Sequence, residues 1–323
     1  MDPDENAVSC PRFFAIYNTA AAHVPFTAPF SDISSEIRAP FAMTSQVRPL
    51  EAEPDATPVL EAGHVLWSQA PLFSLTPPER PLLSSSVLAR GKNVSFDPAT
   101  GAVGGSALTG EAAGHLAGML ARFSDEAKTL VGRVFPAYRE RVRRGRTSFR
   151  PIEVAGRASS WRQDDTRLHL DSFPASPVRG ERILRVFANV NPEGRPRSWR
   201  LGEDFESVGR RFAPRLRMPV PGSALLLRAV GITKSRRSAY DAMMLQLHDL
   251  MKADTEYQRA VPQTPFDFPA GSTWMAFTDQ VSHAAMAGQY QLEQTFLLPV
   301  DAMIAPEQSP LRVLERLLAR ALI

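Results

Sequence analysis

The strand-forming segments of this 323-residue chain fall into two blocks with a helical segment between them, and this order constrains the fold most. A β-rich region is predicted from about residue 148 to 230, and strands return at 271–279 and 289–300. Because strands and helices do not alternate one by one, a doubly wound parallel sheet is not expected. The order predicts a mostly antiparallel barrel or sandwich buttressed by helices.

Three helices are predicted from apolar spacing and from cap signals. Residues 110–135 carry a stripe with helical spacing that Pro136 closes, and residues 238–256 carry a second stripe rich in methionine. The chain ends in a third helix, with Ser309 as its N-cap and Pro310 at its first position. These helices are expected to cover the strands.

Three further segments are predicted from composition and turn signals. Residues 1–55 are rich in Pro, Ala, Ser and Thr and lack clear periodicity, which predicts an irregular or partly disordered arm. Residues 56–323 contain no linker or repeat and are predicted to form a single domain. Within it, "PGSALLLRA" (221–229) is predicted to be an apolar strand after a Pro-Gly turn.

Composition excludes several classes of protein. The single cysteine, Cys10, rules out an internal disulfide and any zinc cluster built on cysteines. No apolar run approaches the roughly 20 residues that cross a bilayer. The acidic start "MDPDENAVSC" lacks the basic and apolar regions of a signal peptide. A cytoplasmic location is therefore expected.

Arginines cluster between Arg133 and Arg150. One interpretation is a solvated helix face and loop. The other is a docking surface for an anion, because guanidinium groups bind carboxylates and phosphates in a bidentate manner. Nucleic acid is not expected as a partner, since no zinc finger, RRM signature or basic helix with an aromatic platform accompanies the cluster.

The stretch "RLHLDSFP" (167–174) has strand character and carries a histidine two residues before an aspartate. Because side chains in a strand repeat every two residues, His169 and Asp171 are expected to point the same way. They form either a local polar pair or two-thirds of a metal site. His283, in "TDQVSHAAMAG", lies at a loop or strand start beside small residues. The other histidines have weaker context: His23, His64, His115 and His248.

An H-x-D followed about 110 residues later by a histidine in the last β-block is the order of a 2-His-1-carboxylate facial triad. Two imidazoles and one carboxylate hold Fe(II) on one face and leave positions open for a co-substrate and O₂. Three histidines or four cysteines would favour zinc instead. The set His169, Asp171 and His283 therefore predicts a non-heme iron site.

The segment "ERILRVFANVNP" (181–192) alternates, so that Arg185 and Asn189 share one face with Phe187. Polar groups on an inner face are costly unless they bind something. A bidentate contact with the distal carboxylate of 2-oxoglutarate would offset the cost for Arg185. Arg185 and Asn189 are therefore predicted to line a 2-oxoglutarate site. The alternative is that Arg185 faces solvent on an edge strand.

Several segments resemble the Kdo hydroxylase family. These are Fe(II)/2-oxoglutarate-dependent dioxygenases that act on the 3-deoxy-D-manno-oct-2-ulosonic acid (Kdo) of lipopolysaccharide. The central segment "RLHLDSFPASPVRGERILRVFANVNPEGRPRSWRLGEDFE" (167–206) is the most specific match, and shorter ones lie at 91–98, 149–169 and 279–296. The likeness extends from about residue 58 to the C-terminus and omits the first 55 residues.

The resemblance implies an α+β fold with a double-stranded β-helix (jelly-roll, cupin-like) core. It implies His169, Asp171 and His283 as iron ligands, and Arg185 as the residue that binds 2-oxoglutarate. Arg150 and Trp199 are further candidates for the same pocket. The candidates for the carboxylate of Kdo are Arg157, Arg162 and Arg167.

The implied reaction is hydroxylation of Kdo at C3 to give Ko (D-glycero-D-talo-oct-2-ulosonic acid), with release of succinate and CO₂ and with ascorbate added in vitro. The implied partners are a Kdo-bearing lipid A precursor and the anionic surface of the inner membrane, where a basic chain would dock peripherally. Two alternatives stay open. One is a 2-oxoglutarate dioxygenase of another sugar acid or small metabolite. The other is a non-catalytic, cupin-like anion-binding barrel.

Overall fold

The structure, a computed structural model, describes residues 46–53 and 55–323, which belong to one compact unit. Its strands are β1 (Val47–Pro49), β2 (Val65–Ser68), β3 (Val94–Phe96), β4 (Val103–Gly104), β5 (Arg143–Arg150), β6 (Arg182–Asn189), β7 (Arg197–Leu201), β8 (Thr264–Phe268), β9 (Thr273–Phe277), β10 (His283–Ala287) and β11 (Gln291–Leu298). Its α-helices are α1 (Ala56–Glu61), α2 (Gly110–Val134), α3 (Phe205–Phe212), α4 (Ser223–Ala229), α5 (Ala239–Ala253), α6 (Thr255–Ala260) and α7 (Pro310–Leu318).

The strands form two sheets. The larger sheet has the order β1-β2-β9-β6-β11-β5-β3-β4, and the smaller has the order β10-β7-β8. Every pair of neighbouring strands is antiparallel except β1 and β2. A single antiparallel bridge between His169 and His283 extends the smaller sheet beyond β10. This arrangement confirms the predicted jelly-roll core.

Aromatic side chains from both sheets fill the space between them. Trp199 on β7 meets Phe187 on β6 edge to face, with ring centroids 5.2 Å apart. Phe268 on β8 stacks on Trp274 on β9 at 4.2 Å. Each buried aromatic side chain removes roughly 150–250 Å² from water, so these contacts dominate the energetics of the barrel interior. They form a rigid wall beside His283.

Helices cover the outer faces of both sheets, as predicted. Apolar residues of α1 and α2 pack against the larger sheet through β6, β9 and β11. Residues of α3, α5 and α7 form a second core with the segment around Leu168 and Leu170. The residue that follows each of these leucines, His169 or Asp171, faces the opposite way, into the barrel. In the described part of the chain, no helix is long and apolar enough to span a bilayer.

Local signals account for most of the helix boundaries. The first and last predicted helices are confirmed: α2 spans Gly110–Val134, and α7 begins at Pro310 behind its N-cap Ser309. The helix predicted for 238–256 is divided, because Asp254 leaves the helical conformation (φ −82°, ψ 94°). Its side chain instead caps α6 by accepting a hydrogen bond from the backbone N–H of Tyr257 at 3.0 Å.

The predicted strand at 221–229 is wrong, because this stretch contains helix α4. Gly222 adopts a left-handed conformation (φ 82°), and its carbonyl accepts the backbone N–H groups of Leu225 and Leu226 at 3.1 Å. The three consecutive leucines of this stretch, 225–227, show none of the apolar and polar alternation that marks a half-buried strand. The β-rich region therefore ends at β7, and helices α3 and α4 follow it.

The predicted arm, residues 1–55, lies mostly outside the described residues. Its described part, residues 46–53, is not irregular as predicted. Val47–Pro49 form β1, which pairs in parallel with β2, and Leu50–Ala52 form a 3₁₀ turn. The larger sheet therefore begins before the predicted boundary at residue 55.

The arginine cluster at 133–150 is divided: Arg133 lies exposed in the last turn of α2 and Arg139 and Arg141 in the turn after it, as the helix-and-loop interpretation expects, but the rest lies on a strand. Arg143–Arg150 form β5, between β11 and β3 in the larger sheet. The arginines of β5 pair with carboxylates at Glu181 (2.6 Å, from Arg143), Asp125 (from Arg144), Asp97 (3.4 Å, from Arg146) and Glu293 (3.1 Å, from Arg150). Most of the cluster's charge is thus balanced within the protein.

Candidate metal centre

Backbone hydrogen bonds hold the H-x-D segment against the start of β10. The N–H of His169 donates to the carbonyl of His283, and the N–H of His283 donates to the carbonyl of His169, both at 3.0 Å. The N–H of Asp171 donates to the carbonyl of Thr278 at 2.8 Å. The three predicted metal ligands are therefore brought together by the main chain.

One ligand atom from each of His169, Asp171 and His283 lies within 4.8 Å of the others. The Nδ1 atoms of His169 and His283 each lie 2.8 Å from a backbone carbonyl, that of Arg167 and that of Val281. Because a carbonyl can only accept, each Nδ1 carries the proton. Both Nε2 lone pairs are then available to a metal ion.

Burial lowers the pKa of the His169 and His283 imidazoles. Burial opposes ionisation of the Asp171 carboxyl, but the Arg185 guanidinium and the two imidazoles outweigh it and hold that pKa well below its usual range. At neutral pH the cluster therefore offers two neutral imidazoles and one carboxylate. This is the protonation state that metal binding requires, and the donor set fits Fe(II).

The three side chains open into a cavity of about 270 Å³. Trp199, which also lines it, stacks on the His283 ring with centroids 4.9 Å apart and planes inclined by 22°. Phe187 and Ala285 add apolar surface, so one side of the cavity is largely apolar. The other side is polar and carries mostly cations: Lys92, Arg150, Arg162, Arg185, Arg197 and Lys252.

Arg185 lies in the cavity wall rather than on a solvent-facing edge strand, but two carboxylates already surround it. Its Nε lies 3.3 Å from Oδ2 of Asp171, and its Nη1 lies 2.9 Å from Oε1 of Glu293. Arg150 shares Glu293, with its Nε 3.1 Å from Oε2. The charges of Arg185 and Arg150 are thus balanced by carboxylates within the cavity wall.

Asn189 does not line the cavity, in contrast to the prediction. Its side-chain amide donates to the carbonyls of Arg195 and Phe268 at 3.0 and 3.1 Å. Its Oδ1 accepts the backbone N–H of Asn191 at 3.1 Å. Asn189 thus fixes the loop after β6, and these backbone contacts offset the cost of burying its amide.

Arg197 on β7 is one of the cavity residues that were not predicted from the sequence. It is 3% exposed, its Nη1 donates to the carbonyl of Gly288 at 2.6 Å, and its Nε has no hydrogen-bond partner. Among the described residues, no carboxylate lies within ion-pair distance of it. Burial and the neighbouring Arg150 lower its pKa to about 10, so it is charged at neutral pH. The alternation of "RSWRL", which places it on the same face as Trp199, was the available signal.

Of the arginines considered for the Kdo carboxylate, only Arg162 lines the cavity. Arg157 pairs with Asp165 at 2.8 Å, and Arg167 pairs with Asp164 at 3.2 Å. His248 on α5 also reaches the cavity, with its ring centroid 5.6 Å from that of His169. Helical spacing offers no signal for His248, because a tertiary contact brings it there.

Gly288 supports Arg197 from a position where a side chain does not fit. Its φ is +104°, and an added Cβ would lie 2.7 Å from the carbonyl oxygen of Pro196. We expect Gly288→Ala to lower the free energy of unfolding by about 2–4 kcal/mol, measured by urea denaturation. The control Gly271→Ala has a similar φ of +80° but open space, so a loss of about 1 kcal/mol is expected. Equal losses would contradict the steric argument.

A jelly-roll barrel in which two neutral imidazoles and one carboxylate converge, with room for further ligands, defines the class of non-heme Fe(II) oxygenases. The sequence model of one family, described as 3-deoxy-D-manno-oct-2-ulosonic acid (Kdo) hydroxylase, matches residues 44–321. This chain therefore belongs to the Kdo hydroxylase family, which confirms the resemblance seen in the sequence.

Solved structures agree with this assignment. The chain is similar to the Kdo hydroxylase KdoO, a non-heme Fe(II) alpha-ketoglutarate (2-oxoglutarate) dependent dioxygenase, in its complex with cobalt(II): 46% identity, TM-score 0.83, 86% of this chain and 97% of that chain covered. For KdoO with alpha-ketoglutarate and Fe(III) the values are 45%, 0.82, 86% and 97%. For apo KdoO they are 47%, 0.81, 85% and 95%. No match was found among curated proteins.

Proposed function

We propose that this chain uses Fe(II), 2-oxoglutarate and O₂ to hydroxylate Kdo at C3, giving Ko and releasing succinate and CO₂. The observation that carries the proposal is the convergence of His169, Asp171 and His283 in a member of the Kdo hydroxylase family. The acceptor in this proposal is a Kdo-bearing lipid A precursor of the lipopolysaccharide inner core. The enzyme would act from the cytoplasmic side of the membrane as a peripheral protein.

In this proposal the Nε2 atoms of His169 and His283 and a carboxylate oxygen of Asp171 hold the iron. With 2-oxoglutarate and O₂, bound iron supplies the oxidising power to place one oxygen atom in a C–H bond. The carbonyls of Arg167 and Val281 keep both imidazoles in the ligating tautomer. Trp199, stacked on His283, holds that ring in place and keeps water from one side of the cavity.

We assign the distal carboxylate of 2-oxoglutarate to Arg197, because it is the buried arginine of the cavity that has no carboxylate partner among the described residues. Lys252 is also buried there without such a partner, but its ammonium donates to the carbonyl of Arg162 at 3.1 Å and lacks the bidentate geometry of a guanidinium. A buried charge of this kind is costly unless an anion joins it. Arg150 is the adjacent second candidate. In this assignment Arg185 positions Asp171 and Glu293. The sequence-based prediction that Arg185 binds 2-oxoglutarate stays a prediction.

The test is succinate release by the purified protein with Fe(II), ascorbate, 2-oxoglutarate and isotopically heavy O₂. We expect succinate in equimolar amount with a lipid product that has gained one heavy oxygen atom on Kdo, located by fragmentation in mass spectrometry. A lipid A precursor without Kdo is the matched control, and it should give neither product.

Two other outcomes would redirect the proposal. Succinate release without oxidation of the Kdo lipid would favour a dioxygenase of another sugar acid or small metabolite. If the folded protein contains iron and releases no succinate with any acceptor, the anion-binding barrel becomes the better interpretation.

A further inference from the structure

Exposed apolar side chains concentrate in one short part of the chain, residues 215–237, which we call the docking segment. It contains six of the nine large apolar side chains that are exposed among the described residues. These are Met218, Val220, Leu225, Leu226, Val230 and Ile232, with exposed fractions from 41% to 73%. Helix α4, at its centre, has no buried residue. So dense an apolar patch on a surface marks a site of interaction.

The docking segment is also strongly basic. It has six basic residues and no acidic residue: Arg215, Arg217, Arg228, Lys234, Arg236 and Arg237. Arg215 pairs with Asp254 at 2.7 Å. Arg228, Lys234 and Arg236 are exposed and lie within ion-pair distance of no described carboxylate. The charge of the segment therefore complements an anionic partner.

The docking segment is fastened to the loop that follows Asp171. The backbone N–H of Lys234 donates to the carbonyl of Ala175 at 2.9 Å. The guanidinium of Arg237 donates to the carbonyl of Pro174 at 2.6 Å. Thr233, which precedes Lys234, is buried. A partner bound to this segment would thus be held at a fixed position relative to the metal centre.

A surface groove connects the docking segment with the metal centre. A depression of about 680 Å³ has Arg150 and Arg185 in its wall, which also line the metal-site cavity, and Lys234 at its other end. A second depression, of about 1120 Å³, continues from there and is lined by Val220 and Arg236. Basic side chains therefore line the path from the apolar segment to the metal centre, with Arg143, Arg146 and Arg150 paired to carboxylates and Lys234 and Arg236 without such partners among the described residues.

We propose that residues 215–237 dock the enzyme on an anionic lipid surface. The apolar side chains enter the headgroup region, and the basic side chains bind lipid phosphates. A lipid-borne acceptor then reaches the metal centre along the groove. This inference deepens the proposed function, on which the identity of the acceptor rests. The density of exposed apolar groups together with unbalanced positive charge favours a lipid surface over a second copy of the chain.

The test is co-sedimentation of the full-length protein with vesicles of phosphatidylcholine, alone or mixed with phosphatidylglycerol. We expect binding to the mixed vesicles and a decline of binding with added salt. The double variants Leu225→Ser/Leu226→Ser and Arg228→Ser/Arg236→Ser should each bind at least about tenfold more weakly. The matched controls Ile304→Ser and Arg133→Ser alter exposed residues outside the segment and should bind as the unaltered protein does.

Activity distinguishes a docking role from a catalytic one. With a soluble, deacylated Kdo-bearing acceptor, both double variants should work at the unaltered rate. With the acceptor embedded in mixed vesicles, their rate should fall about tenfold. Failure of the unaltered protein to bind mixed vesicles, or undiminished binding by Leu225→Ser/Leu226→Ser, would overturn the inference. A concentration-dependent dimer in sedimentation velocity, lost in the leucine variant, would then assign the patch to a second copy.

The two proposals fail separately. Vesicle binding without hydroxylation of Kdo would contradict the proposed function and leave the docking segment standing. Hydroxylation that is indifferent to vesicles and to the segment variants would contradict the docking role alone.

Discussion

His169→Ala and Asp171→Asn will each reduce succinate release by at least about a thousandfold while the protein stays folded. Each substitution removes one of only three protein donors that converge within 4.8 Å. In His169→Ala the Arg167 carbonyl loses one hydrogen bond, which costs about 1 kcal/mol. In Asp171→Asn the Arg185 guanidinium keeps Glu293 at 2.9 Å, so no buried charge is left unpaired.

Three measurements check this result: iron content after anaerobic loading and dialysis, succinate release, and thermal unfolding followed by circular dichroism. His115→Ala is the matched control, because this half-exposed histidine lies on α2, away from the cavity. His248→Ala is a stricter control, because its ring lies beside that of His169 but outside the ligand set. Normal turnover with unchanged iron in His169→Ala or Asp171→Asn would refute the triad assignment.

Arg197→Ala will raise the 2-oxoglutarate concentration needed for half-maximal activity by about 30-fold or more, with iron binding retained. Removing one partner of a buried charged pair costs roughly 2–5 kcal/mol, and 2 kcal/mol corresponds to a factor of about 30. Arg197 contacts none of the three predicted ligands directly; its bonded partner is the carbonyl of Gly288. The effect should therefore fall on the co-substrate and spare the metal.

The comparison that decides the assignment is with Arg185→Ala. We expect this variant to weaken iron binding first, because Asp171 loses its ion pair. Arg197→Lys should recover part of the lost affinity, since it restores the charge without the bidentate geometry. If Arg185→Ala alone raises the 2-oxoglutarate requirement and Arg197→Ala leaves it unchanged, the sequence-based prediction for Arg185 is correct and our assignment is wrong.

The parts of the fold that depend on local signals could be predicted from the sequence. The two-residue period placed His169 and Asp171 on one face, and the cap at Ser309 located α7. The secondary structure of residues 221–229 was predicted wrongly, because three leucines in succession occur both in buried strands and in short exposed helices. Only the surroundings, which leave those side chains in solvent, separate the two.

The missing parts of the candidate site depend on contacts between distant segments. The sequence shows that Arg185 and Asn189 share a face. It does not show that Arg185 pairs with Glu293, or that the Asn189 amide donates to backbone carbonyls. Arg197 is a candidate because no described carboxylate pairs with it in the folded cavity. Neither composition nor residue spacing can reveal that a side chain lacks a partner in the folded protein.

The paired backbone bonds between His169 and His283 join residues 114 positions apart (283 − 169). Closing so long a loop is slow, so we expect the two halves of the ligand cage to meet late in folding, when most of the barrel has formed. The cage is then held by main-chain bonds in which the ligand atoms take no part. We therefore expect metal to leave and return through the cavity without refolding, so that loss of iron would not shorten the lifetime of the polypeptide.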